Sequence, residues 1–203
     1  MDFYSKKLLP RLINCACRSN YFSGLRKRII PQAYGNVIEI GFGSGLNIPF
    51  YNKELINKIY AVEPALSFSK LFNKNSVNFP IEIYNIPAEE LPFGDNFFDS
   101  AVCTFSFCSI NNTLKAISEL KRVIKPKSKI YFCEHSVSHN HKTASLQNAL
   151  NPIWKKAFGG CSLNRDIKSC LKNFNFDLSE VEIISHGILN PLGDIQVGAA
   201  LKK

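Results

Sequence analysis

A chain of 203 residues with 45% apolar composition suffices for one domain with its own core, and the lack of any 18-residue apolar run argues against a membrane-spanning helix. Seven cysteines, an odd number with no apolar leader, fit a reduced cytoplasmic protein better than a disulfide framework. The net charge of +9 gathers early: residues 1–31 hold Lys6, Lys7, Arg11, Arg18, Arg26, Lys27 and Arg28 against Asp2 alone. Such an arm suits peripheral contact with an anionic membrane, or is a solvated helix face. No aromatic–basic platform points to nucleic acid, and nothing fixes the oligomeric state.

Residues 1–32 form this basic arm, helical in two pieces over 11–30, with Leu12, Ile13, Ala16 and then Phe22, Leu25, Ile29 as apolar stripes. Pro10 marks a helix start, where its missing N–H costs nothing. A first strand is predicted at 36–40, then Gly41, Gly43 and Gly45 make a tight turn, with a helix expected from Leu46. Strands follow at 58–63, 80–84 and 97–104. A helix spans 111–123 with Leu114, Ile117, Leu120 and Val123 at helical spacing, and Pro126 turns the chain into a strand at 129–134. Residues 135–165 read as a helical insert over an acceptor site, a short helix follows Asp166 as its cap, and strands near 179–185 and 194–201 close the domain. Strand–helix alternation of this kind predicts a doubly wound α/β sheet over the whole of residues 1–203.

Open α/β sheets bind ligands at the carboxyl ends of their strands. The first expected strand ends in Glu39-Ile40-Gly41-Phe42-Gly43-Ser44-Gly45. A dinucleotide fingerprint would want glycine at 46, where Leu46 stands. The second ends in Glu63, 22 residues beyond Gly41, a distance at which an acid accepts from both ribose hydroxyls. Further along stand Ile86-Pro87-Ala88-Glu89-Glu90-Leu91-Pro92-Phe93, Leu120-Lys121-Arg122-Val123-Ile124-Lys125-Pro126 and Phe132-Cys133-Glu134-His135.

The E-x-G-x-G-x-G phrase resembles motif I of class I S-adenosyl-L-methionine (SAM) methyltransferases, and the later stretches resemble their A-E-x-L-P-F and L-x-R-V-L-K-P segments. The resemblance implies a Rossmann-like seven-stranded sheet with helices on both faces and the last strand antiparallel. It also implies cofactor contacts: Glu39 toward the methionine end, Gly41, Gly43, Gly45 and Asn47 in the loop, and Glu63 and Pro64 at the ribose. Ala88 and Glu89 would lie beside the adenine, with Pro87 where the family carries an acid. Thr104 would meet the methionine portion, and Phe105 or Phe107 would wall the site; Asp99 reads as structural.

The phrases Arg28–Pro31, Gly45–Tyr51, Glu134-His135, Pro152–Trp154 and Gly160–Asp166 are similar to the methyltransferase-like seven group of thiol S-methyltransferases and its bacterial relatives. That likeness implies methyl transfer to a small or lipophilic acceptor, a thiol first. A phospholipid head group or quinone precursor at a membrane surface is the alternative, and a non-catalytic SAM-binding protein a third. Glu134 and His135, expected at the substrate mouth, are the candidate catalytic residues, His135 as general base. Cys161 and the Trp154–Phe158 pair are candidates to line or roof the acceptor pocket. His135, His139 and His141 match no standard zinc spacing, so no metal is expected.

Overall fold

The computed structural model describes residues 8–72, 77, 79–185, 190–191 and 193–203; Lys6 and Lys7 of the basic arm lie outside the described residues. Two helices open the chain, α1 (Leu9–Cys17) with Pro10 in its first turn and α2 (Asn20–Ile29), capped by Ser19. Then come β1 (Gly35–Ile40), β2 (Ile56–Val62), α3 (Leu66–Ser69), β3 (Ile81–Tyr84), β4 (Phe98–Thr104), α4 (Thr113–Val123), β5 (Ile124–Ser136), α5 (His141–Ala157), α6 (Ile167–Asn173), β6 (Phe176–Ser185) and β7 (Asp194–Lys202). The seven strands form one sheet in the order β3-β2-β1-β4-β5-β7-β6. β1 pairs in parallel with both β2 and β4, and β4 with β5, whereas β7 is antiparallel to β5 and to β6. The chain thus winds outward from β1 to β3 and restarts at β4 on the other side. That reversal leaves a crevice at the carboxyl ends of β1 and β4.

Period-two alternation feeds two cores, one on each face, as a sheet covered on both sides requires. Ile38, Ile40, Cys103, Ile130 and Phe132 pack with Ile117 and Leu120 of α4 and Leu171 of α6. Val37, Val102, Tyr131, Cys133 and Val197 face the other way, toward Leu25 and Ile29 of α2.

Three local expectations change. No α-helix begins at Leu46; the glycine loop runs into a single 3-10 turn, Ile48–Phe50, with Pro49 in its first turn. Tyr51, which would have continued a helix, is extended and buried, and its hydroxyl reaches Glu39. Leu114 is exposed and Ala116 takes its place on the buried stripe of α4. β5 starts at Ile124 rather than 129 because Ile124 already pairs with Phe98. The Pro126 turn bulges out of the pairing, with exposed Lys127 at φ +62°.

Candidate active site

Ile40 and Val62 end their strands side by side, and the glycine loop begins there. Gly41, Gly43 and Gly45 all take left-handed φ (+70°, +58° and +79°), which only glycine adopts freely. They differ in what a side chain would meet. A Cβ on Gly41 would stand 2.0 Å from Ser106 Oγ and one on Gly45 2.6 Å from the Phe72 ring, yet at Gly43 the nearest atom is 3.9 Å away. Gly43 is therefore bare toward open space, a cradle that a side chain would fill.

That space is a cavity of about 370 Å³, lined by Gly41, Gly43, Asn47, Glu63, Pro64, Ala88, Glu89 and Thr104 among others. The Gly43 N–H donates to Glu63 Oε2 (2.9 Å) and the Ala65 N–H to Oε1 (3.0 Å). Each oxygen keeps a lone pair for a further donor, the arrangement a ribose diol needs. Burial pushes the Glu63 carboxyl up, and the two backbone donors pull it back. Glu89 Oε1 accepts from the Asn112 N–H (3.1 Å), tying the Ala88-Glu89 stretch to the start of α4. Gly45 lies off the cavity wall, packed against Phe72 and Phe42.

Glu39 is wholly buried and absent from the wall. Tyr51 Oη donates to its Oε2 (2.6 Å) and Asn47 Nδ2 to its Oε1 (2.9 Å), while Asn47 Oδ1 accepts from Arg26 Nε (3.0 Å). Burial pushes Glu39 up to about 7, against the pull of Tyr51, Asn47 and Arg26. Asn47 and Arg26 reach the cavity from this network, and Glu39 does not.

Arg26 is the functional group that sequence reasoning passed over. It was counted in the solvated arm, yet it is 3% exposed and lines the cavity. Nη1 donates to the Cys17 carbonyl (2.7 Å), and the guanidinium lies 5.4 Å from the Phe105 ring centroid. Its hydrogen bonds go to neutral groups, Asn47 Oδ1 and the carbonyl and thiol of Cys17, and Glu39 acts on it only across Asn47, so among the described residues no carboxylate touches it. Phe105 walls the site at φ +53°, a strained conformation for a bulky residue, with its ring edge-on to Phe22 at 4.6 Å. Phe107 turns instead into the core.

Glu134 and His135 are adjacent but do different things. The Glu134 carboxylate, fully buried, accepts from the N–H groups of Ser106 (2.6 Å), Phe107 (2.9 Å) and Cys108 (3.4 Å) and holds the loop after β4. Burial pushes its pKa up while those donors pull it down. It does not line the cavity. His135, 6% exposed, is likewise absent from the cavity wall rather than at its mouth, and sets Nε2 3.0 Å from Cys161 Sγ, its immediate partner. From the 135–165 insert, Phe158 and Gly159 line the cavity, with Trp154 stacked on Phe158 at 4.0 Å. His139 bonds Asp194 instead, and Asp166 caps α6 through the Ser169 N–H.

A family model described as a methyltransferase domain matches residues 38–132. The human thiol S-methyltransferase TMT1A is 28% identical over 170 residues, 80% of this chain and 68% of that protein. The rat thiol S-methyltransferase TMT1B is 30% identical over 72% of this chain and 61% of its own length, so the match spans about two thirds of these relatives. A Thermotoga maritima SAM-dependent methyltransferase, described as a possible histamine N-methyltransferase, superposes with a TM-score of 0.65 at 20% identity, covering 96% of this chain and 98% of that one. At that identity the likeness concerns the fold alone.

Proposed function

This chain is a class I SAM-dependent methyltransferase, and from that premise we propose that its acceptor is a small or lipophilic thiol. SAM supplies an electrophilic methyl group on a sulfonium. The residues we assign to it, all lining the cavity, are Gly41, Gly43 and Asn47 along the loop, Glu63 and Pro64 for the ribose, Ala88 and Glu89 for the adenine, and Thr104.

One observation carries the thiol reading: the buried guanidinium of Arg26, with no carboxylate in direct contact, in a cavity wall that also presents Leu9, Ile13, Phe105 and Phe158. A cation in such surroundings favours a thiolate, whose parent pKa of about 8.5 needs only a modest push. A hydroxyl or carbon acid would need a strong base, and the carboxylates of Glu39 and Glu134 are committed to hydrogen bonds away from the cavity. Beyond that the protein's task is to align the reactants and exclude water, which contributes about 7–11 kcal/mol in well-oriented systems. The similarity to thiol S-methyltransferases supports the same reading.

A lipophilic acceptor delivered at an anionic membrane is the second reading. Exposed Leu12 (49%) follows exposed Arg11 in α1, and exposed Ile153 (71%) precedes exposed Lys155 and Lys156 in α5, a mix of apolar and cationic groups suited to shallow contact with lipid. Among the described residues no helix is long and apolar enough to cross a membrane.

The test is conversion of SAM to S-adenosylhomocysteine with a panel of small thiols, phosphatidylethanolamine vesicles and quinol precursors. Turnover with thiols, lost in Glu63→Ala together with SAM affinity, is expected. Turnover only with vesicles or quinols would overturn the thiol assignment.

A further inference from the structure

Three residues from three separate elements meet beside the cavity. Cys108 follows β4, His135 is the penultimate residue of β5, and Cys161 follows α5; their sulfur and nitrogen ligand atoms lie within 4.8 Å of one another. We propose that Cys108, His135 and Cys161 are the three protein ligands of a zinc-type divalent metal ion, whose fourth position takes the thiol of the methyl acceptor.

The geometry supports a tetrahedral site. Two sulfurs each about 2.3 Å from a tetrahedral zinc stand about 3.8 Å apart, and Cys108 Sγ lies 3.7 Å from Cys161 Sγ. A nitrogen and a sulfur on the same ion stand about 3.6 Å apart, so His135 Nε2, now 3.0 Å from Cys161 Sγ, has to withdraw by roughly half an ångström. The donor set is that of a borderline-soft ion, two thiols and an imidazole; three protein ligands with one open position is the pattern of reactive rather than structural zinc.

The surroundings point to a ligand as well. His135 is more than nine-tenths buried, yet its Nδ1 has no hydrogen-bond partner. Among the described residues Cys161 Sγ is the imidazole's one hydrogen-bond partner, and the nitrogen it meets, Nε2, is the one an ion between the two thiols would take. The backbone around the thiols is already fixed. The Cys108 N–H is held by Glu134, the Ser162 N–H donates to the Cys108 carbonyl (2.9 Å), and the Arg165 guanidinium holds the Phe107 carbonyl. None of the three ligand residues lines the cavity, but Ser109, next to Cys108, and Gly159, two residues before Cys161, do, so the cluster stands close behind that wall.

Occupation of the fourth position rests on the thiol reading above. The acceptor's S–H bond breaks, its proton leaves to solvent, and the sulfur lone pair goes to the metal. No oxidant or reductant is involved. The spacing of the three residues in sequence carries no metal signature, since 27 and 26 residues separate them.

The experiment strips the purified protein with a chelator under reducing conditions and titrates it with Zn²⁺ and with Co²⁺. Metal per chain is read by mass spectrometry and the cobalt visible spectrum is recorded, alongside SAM affinity as a check on folding. One equivalent of metal, with sulfur-to-cobalt charge-transfer and intense tetrahedral bands, is expected. Affinity should fall by more than roughly 100-fold in Cys108→Ser, Cys161→Ser and His135→Ala and stay unchanged in Cys15→Ser, an exposed thiol. No bound metal, equal binding by variants that still bind SAM, or isolation of a Cys108–Cys161 disulfide in place of metal would overturn the site. Adding a small thiol acceptor should shift the cobalt bands; unshifted bands overturn the fourth-position assignment while the site stands. Methylation of lipids alone by a metal-binding protein would instead remove the thiol reading and leave the metal site intact.

Discussion

Replacing Glu39 with Gln removes the titration of a carboxyl that has no contact with water. Burial raises its pKa from 4.5 to about 7 in the folded chain, so the folded state binds this proton more tightly than the unfolded one. Stability is therefore fully present below pH 4.5, falls as the pH rises toward 7, and is flat above it as far as this group is concerned. The gap of 7 − 4.5 = 2.5 corresponds to ~3 kcal/mol. Gln cannot ionise, so Glu39→Gln lacks that fall. Its amide, however, has one acceptor oxygen where Tyr51 and Asn47 donate to two, a loss of about 1–3 kcal/mol at every pH. The variant should be the less stable protein at pH 4.5 and match or exceed the parent at pH 8. Urea unfolding from pH 4.5 to 8.5 reads the effect as a stability difference between the two proteins that changes by ~3 kcal/mol. Parallel profiles would refute the reasoning. They would mean that Arg26, acting through Asn47, keeps Glu39 ionised at an ordinary pKa.

Gly43→Ala should fold with a loss of about 1–2 kcal/mol for its left-handed backbone but bind SAM more weakly, because its methyl enters open cavity; calorimetric titration at parental affinity would contradict this. Gly41→Ala, whose methyl would meet Ser106 Oγ at 2.0 Å, should unfold at a clearly lower temperature than Gly43→Ala. Glu134→Ala leaves three buried N–H groups without their acceptor, so stability should drop by ~3 kcal/mol or more; an unchanged urea midpoint would remove its role in holding the loop. Lys127→Gly relieves a left-handed φ at an exposed turn and should raise stability by ~1 kcal/mol, with turnover unaffected.

The centre of the sheet was readable because β1 and β4 are short, mostly apolar runs buried on both faces, and stretches such as Val37–Ile40 and Ala101–Cys103 permit little else. The glycine spacing and Glu63 stood out for a related reason, since a bare loop followed by an acid 20 residues from Gly43 is a local pattern. Arg26 was not readable. Its neighbours Lys27 and Arg28 are exposed, and only the closure of α2 over the β1 loop, where Asn47 waits, separates the buried cation from the solvated ones. The helix expected at Leu46 failed because Tyr51 is worth more as the buried donor to Glu39 than as a helical residue, a tertiary contact invisible to periodicity. The cysteine–histidine cluster was not readable either: its members are near only after β4, β5 and the segment following α5 have folded together.

The reversed strand β7 sets a timetable for biosynthesis. It lies between β5 and β6, and its eight-residue register with β5, Lys129↔Leu201 through Ser136↔Asp194, joins a strand to one made some sixty residues later. During translation β5, carrying Ile130 and Phe132, is an unprotected edge throughout the synthesis of α5, α6 and β6. β6 has no strand to join until β7 slots in, since β7 is its neighbour in the sheet. The nascent chain therefore carries a sticky apolar border for most of its last third. Until β7 is made, whatever covers that border decides whether the chain reaches the folded sheet or associates through it.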